Sequence, residues 1–242
     1  MAHTRPDYST QQKMATIYGE VDNGELAARL KSINTYDRRG KIVWLDDFES
    51  AVLKWDGAGA GLGNAAAVNA AWSRNGDSSC KLTCGSSAPQ FGGIEKGIQP
   101  PFMGHLGLEA SCFFDADVTA FFIDLTMFDG TYMTYCRFAI DIALGLLQYY
   151  TDAGAWATLI NGLTFINDRQ MIYTLKIVAD FSTGYYVRGM YGGVTYDMTA
   201  LPMYHFLDAT TPQLYVNIYA AGTIATNAVC YVDDVIVTQD EP

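Results

Sequence analysis

The sequence predicts an all-β protein: an antiparallel β-sandwich of jelly-roll type, preceded by a short helical N-terminal arm. Three observations carry this. Apolar residues alternate with polar or aromatic ones through run after run of the chain. Gly, Asp and Asn turn signals separate those runs by roughly eight to twelve residues, the spacing of sandwich strands. The first run, Lys41–Ser50, and the last, Val229–Thr238, are expected to lie side by side. The chain therefore divides into an arm, residues 1–40, and a body, residues 41–242. No heptad, internal repeat or low-complexity linker splits the body.

In the arm, Met14, Ile17 and Val21 lie three and four apart, with Tyr18 beside them, and so do Leu26, Leu30 and Ile33. These spacings predict two short amphipathic helices around an Asp22-Asn23-Gly24 break. Each stripe is too narrow to hold a helix alone, so it needs a surface: the body, a second copy or a larger partner. Arg38 and Arg39 sit in a charged turn leading into the first strand, where they can pair with acidic neighbours.

In the body, Asp56–Ala71 is rich in Gly and Ala and reads as a mobile loop. Its Asp56–Gly63 stretch lacks the G-x-G-x-x-G spacing and the βαβ setting of a dinucleotide loop. Asn75-Gly76 is a turn, and Ser79–Thr83 a strand. From Gly107 the alternation is continuous. Phe121, Ile123, Leu125 and Met127 alternate with Phe122, Asp124, Thr126 and Phe128. Further strands are expected over Tyr132–Ile142, Leu144–Thr151, Trp156–Ile160, Tyr173–Phe181, Tyr185–Met190, Val194–Met198 and around Leu214–Ala220. One buried face per sheet explains the pattern.

Composition bounds the function. Of 242 residues, 50% are hydrophobic and 13% aromatic, enough for a sizeable core. The formal charge is -11. Residues 1–40 hold six basic against five acidic side chains, and the remainder nine against twenty-one. So acidic a body repels phosphate backbones and anionic bilayers, and neither nucleic acid nor membrane is expected as a partner. No secretory leader is apparent in residues 1–40, and no apolar run is long enough for a membrane helix. The five cysteines (Cys80, Cys84, Cys112, Cys136, Cys230) are expected to be free, mostly buried thiols of a protein made in a reducing cytoplasm. Cys80 and Cys84 have no second Cys or His pair at zinc spacing.

Leu45-Asp46-Asp47-Phe48-Glu49, Trp55 and Asn75–Leu82 are similar to the opening pattern of jelly-roll carbohydrate-binding modules and related concanavalin-like domains. Tyr231-Val-Asp-Asp-Val-Ile-Val237 is similar to their closing strand, and Thr174–Val187 with Gly193–Met198 resembles a laminin-G-like hairpin. The resemblance implies a structural calcium between first and last strands. Its matching ligands would be Asp47, Glu49 and Asp234, with carbonyl oxygens of the Gly76–Ser78 turn; a hard cation seeks such oxygens. The alternative is that Asp46, Asp47, Asp233 and Asp234 are solvated edge charges.

Three function classes follow. Glycoside hydrolysis needs two carboxylates at defined separation. No E-x-D-x-x-E strand and no G-x-S-x-G elbow is present, and His205 reads as a packing residue, so no enzyme is expected. A sugar-binding module would stack pyranose rings on Tyr149, Tyr150, Trp156, Tyr185, Tyr186, Tyr191 and Tyr196, although tyrosines also suit half-buried strands. The main expectation is assembly. A helical arm before a jelly roll resembles virion structural proteins of tailed phages. That implies a homotrimeric capsid decoration protein located in the virion, which grips the capsid lattice through its arm and sandwich surfaces.

Overall fold

A computed structural model describes residues 40–99, 103–166, 171–223 and 227–242. The arm expectation, with Met14, Ile17, Tyr18, Val21, Leu26, Leu30, Ile33, Arg38 and Arg39, lies outside the described residues. Gly40–Pro242 is one compact unit. Its strands are β1 (Lys41–Asp46), β2 (Asp56–Gly57), β3 (Ala65–Asn69), β4 (Ser79–Thr83), β5 (Phe91–Ile98), β6 (His105–Phe114), β7 (Val118–Phe128) and β8 (Tyr132–Asp141). There follow β9 (Leu146–Tyr150), β10 (Trp156–Ile160), β11 (Tyr173–Asp180), β12 (Tyr185–Tyr191), β13 (Val194–Asp197), β14 (Tyr204–Leu207), β15 (Gln213–Gly222) and β16 (Val229–Gln239).

The strands form two antiparallel sheets. One runs β13-β12-β11-β6-β16-β4-β3, with β1 also on β16. The other runs β10-β9-β8-β7-β15-β5-β2, with β14 also on β8. The expected pairing of first and last strands is present, Leu45 facing Ile236. Alternation decides which face is buried. Leu214, Val216, Ile218 and Ala220 of β15 and Phe121, Ile123 and Leu125 of β7 point between the sheets and are fully buried. Each of these side chains larger than alanine contributes about 1.5–3 kcal/mol relative to exposure.

In both sheets one strand edge is shared by two partners, which leaves a fork. The edge of β16 takes β4 along Val229–Val232 and β1 along Val235–Gln239. Between them the register slips and Asp234 adopts φ +53°. The extra residue resets the alternation, so Cys230 and Val232 before it and Val235 and Val237 after it all enter the core. The edge of β8 takes β14 along Tyr132–Tyr135 and β9 along Phe138–Asp141.

Three expectations need correction. Asp56–Ala71 is not all loop: it supplies β2 and β3, Ala66 pairing with Leu82. Strand β5 was not expected, because glycine at positions 92, 93 and 97 lowers its strand propensity. Two of those glycines have a packing reason: a Cβ on Gly93 would lie 2.2 Å from the Tyr219 ring, and one on Gly92 2.6 Å from the Thr83 carbonyl. His205 lies on β14, which was also unexpected. It is exposed and meets the Tyr132 ring edge-on rather than packing in the core. All five cysteines are free and buried.

Candidate functional site

The outward face of the second sheet carries an open cleft of about 420 Å³. Strand register builds its floor. Asp56 faces Glu95, Glu95 faces Asn217, Asn217 faces Asp124, and Asp124 faces Arg137. Five polar side chains thus form one row straight across β2, β5, β15, β7 and β8. Two residues along the strands on one side, Tyr219 faces Phe122. Two residues along on the other side, Tyr215 faces Thr126, Thr126 faces Tyr135, and Tyr135 faces Tyr204. The polar row is therefore bordered by aromatic rows on both sides. The rings are held by one another: Phe122 stacks on Tyr219 with centroids 5.1 Å apart, and Tyr135 lies parallel to Tyr204 at 6.0 Å.

Arg137 is the best-fixed member of the row. Its Nε donates to Asp124 Oδ2 at 2.7 Å, and Asp124 Oδ1 accepts from Thr126 Oγ1 at 2.8 Å. The guanidinium lies over Tyr135 at 3.9 Å and near Tyr150 at 5.1 Å. Neither terminal nitrogen of Arg137 has an acceptor among the described residues. The Glu95 carboxylate likewise has no hydrogen bond or ion pair there. Burial pushes the Asp124 carboxyl upward, opposed by Arg137 and Thr126. Burial also raises the Tyr135 phenol, and pushes Tyr219 to about 12.

The fork in β8 positions this arginine from behind. At the gap between β14 and β9, the backbone of Arg137 has no strand partner on that edge. Tyr186 of β12 reaches across from the other sheet and fills the gap. Its hydroxyl accepts from Arg137 N at 3.1 Å, and carbonyl oxygens lie within donating distance, Tyr150 at 2.8 Å and Arg137 at 3.3 Å.

The aromatic residues expected to bind sugar are dispersed by the fold. Tyr150 and Trp156 lie at the edge of the groove, Tyr150 beside Arg137: they touch each other edge-to-face, and Trp156 also meets Phe122. Tyr186 is 1% exposed, so it offers no face to a ligand and serves as the strut just described. Tyr149 turns toward the core against Tyr186. Tyr191 packs on Phe165, and Tyr196 packs against the core. Tyr185 is exposed, beside a separate hollow lined by His105, Asp180 and Thr183. Sequence reasoning missed Glu95, Tyr135, Arg137, Tyr204, Tyr215, Asn217 and Tyr219. A signal for them exists: Tyr215-x-Asn217-x-Tyr219, Phe122-x-Asp124 and Tyr135-x-Arg137 each set a polar residue two places from an aromatic one. That spacing puts both on one strand face.

The other outward face is built differently. Glu109, Lys176 and Glu241 on it are buried, with Lys176 Nζ 2.7 Å from Glu241 Oε1.

Of the residues matched to a calcium site, Asp234 lies at the β16 fork with Asp47 near enough to raise its pKa, whereas Glu49 is exposed and held by the Gly76–Ser78 turn. Asp46, Asp233 and Asp234 are buried rather than being solvated edge charges. Asp46 accepts from Trp55 Nε1 at 2.9 Å and Lys54 Nζ at 3.1 Å. Asp233 accepts from the amides of Arg74 and Asn75, and burial together with Asp234 raises it to about 7. Asp234 Oδ2 accepts from Asn75 Nδ2 at 2.6 Å and pairs with Arg74 at 2.9 Å. Asp234 Oδ1 is buried without a hydrogen-bond partner, and burial raises this carboxyl to about 6. The turn at Gly76–Ser78 offers Glu49 amides rather than carbonyls: Asp77 N and Ser78 N both donate to Glu49 Oε1 at 2.9 Å. The Gly76 carbonyl accepts from Ser73 Oγ. Among the described residues no three His, Cys, Asp or Glu side chains converge as a metal-holding group. The observation that fits a cation is the orphaned Oδ1 of Asp234, with Asp47 close enough to raise its pKa.

No protein-family model and no curated protein matches this chain. Solved structures do. The cellulose-induced protein Cip1 aligns with a TM-score of 0.57 at 15% identity, covering 81% of this chain and 96% of its own. An endo-β-1,4-glucuronan lyase from the fungus Trichoderma reesei aligns with a TM-score of 0.53 at 9% identity, covering 82% and 95%. At such identities the likeness is one of fold: a two-sheet antiparallel sandwich.

Proposed function

We propose that this chain is a carbohydrate-binding domain that holds a glycan in the groove of the second sheet. The observation that carries the reading is the polar row Glu95–Asn217–Asp124–Arg137 bordered by aromatic rows. Sugars present hydroxyl edges and apolar C–H faces, and a site that pairs the first with buried polar groups and the second with rings suits both. The likeness of fold to Cip1 and to the glucuronan lyase supports a carbohydrate context without defining a ligand.

Binding without hydrolysis is the form we favour. Asp124 is committed to Arg137 and Thr126, and the raised phenols of Tyr135 and Tyr219 make poor bases near neutral pH. A virion role with a trimeric state and a capsid partner rests on the arm, and the groove gives it no support. Calorimetry with glycan oligomers tests the proposal. Tyr150→Ala and Trp156→Ala should each weaken binding about tenfold or more, and Tyr185→Ala should leave it unchanged. Equal binding by all three variants would place the site elsewhere.

We also propose that the Asp234 Oδ1 pocket holds a hard divalent cation such as calcium, with Asp47 contributing charge. One or two carboxylates with backbone and water oxygens would suffice for such an ion.

A further inference from the structure

We infer that the glycan in this groove is uncharged, and that Glu95 is the residue that excludes acidic chains. The inference rests on the carbohydrate reading above and deepens it.

The row holds three carboxylates, Asp56, Glu95 and Asp124, against one guanidinium. The charge of Arg137 is largely taken up. Asp124 sits 2.7 Å from its Nε, and tyrosine rings lie at 3.9 and 5.1 Å. What Arg137 still offers is a pair of hydrogen-bond donors. Glu95 offers an acceptor with no partner among the described residues. Donors at one end and an acceptor at the other, with the Asn217 amide between, match the alternating hydroxyls along the edge of a sugar chain.

Adjacent strands are about 4.8 Å apart, so Glu95 and Arg137 stand three spacings, about 14 Å, from one another. One uronate over Arg137 would be screened from Glu95 at that distance. A chain charged on every ring would not be. Its second carboxylate along from Arg137 would fall about one strand spacing from Glu95, where like-charge repulsion at a partly buried surface weakens binding by roughly tenfold or more. The body, with nine basic against twenty-one acidic residues outside 1–40, adds repulsion of the same sign.

The test is calorimetry on the full chain with cellohexaose and xylohexaose as neutral probes, and hexamers of glucuronate and galacturonate as acidic ones. The wild type should bind a neutral hexamer at least tenfold more tightly than either acidic one. Glu95→Gln, a near-isosteric change at a half-buried position, should narrow that ratio by binding acidic hexamers more tightly. Lower salt should widen the ratio for the wild type. Acidic hexamers bound as tightly as neutral ones, or a ratio unmoved by Glu95→Gln, would overturn the inference and leave the carbohydrate reading standing. A folded wild type that binds neither class would overturn both.

Discussion

Replacing Tyr186 with phenylalanine should show how the groove is held. The side chain is 1% exposed, so water does not readily substitute for the lost hydroxyl. Three backbone groups depend on it: Arg137 N, Tyr150 O and Arg137 O. The ring itself stays, and with it the contact to Tyr149 at 5.8 Å. An unsatisfied buried group costs about 1–3 kcal/mol. Leaving the Arg137 amide without its acceptor and the Tyr150 carbonyl without its donor should therefore destabilise the fold by about 2–6 kcal/mol. That is a large share of a typical stability of about 5–15 kcal/mol. Urea unfolding followed by tryptophan fluorescence measures the loss, and amide exchange at Arg137 should accelerate along with it. Glycan affinity should fall too, because Arg137 and Tyr150 lose their common support. A change below about 0.5 kcal/mol with Arg137 exchange unaltered would refute the strut.

Other expectations concern the far side of the molecule and its turns. Gly76 has φ +65°, and a Cβ there would lie 2.3 Å from Glu49 Oε1. Gly76→Ala should therefore displace Glu49 and cost about 1–3 kcal/mol in urea unfolding. Millimolar calcium should raise the melting temperature, chelator should reverse the rise, and Asp234→Asn should abolish it; a melt indifferent to calcium would discard the cation pocket. Acid should loosen the turns capped by Asp180, Asp197 and Asp208. Burial raises the Asp180 carboxyl, but hydrogen bonds from Ser182 and Thr183 more than offset this, and bonds from Thr199 and Thr210 lower the other two. All three lie below the ordinary 3.8 in the folded state. Their contribution is present above pH 3.8 and is lost as pH falls through the depressed values. The melting temperature should thus drop below pH 3.8, and less so in Asp180→Asn.

Period-two alternation in Phe121–Phe128 and Leu214–Ala220 was enough to assign strands and their buried faces, because a pleated strand with one dry side permits little else. The pairing of Lys41–Asp46 with the last strand was legible too. The strand over Phe91–Ile98 was not. Its Gly93 answers to Tyr219, more than a hundred residues away, which no local propensity encodes. The groove was hidden for the same reason. Tyr149 and Tyr150 are neighbours in sequence, yet one faces the core and the other the groove. A search for catalytic spacing along one strand cannot find Glu95, Asn217, Asp124 and Arg137, which come from four strands. Alternation in the sequence determined which side of each strand would be wet. Only the tertiary structure decided which strands lie side by side, because register is a long-range choice, and register sets the polar row between its aromatic borders.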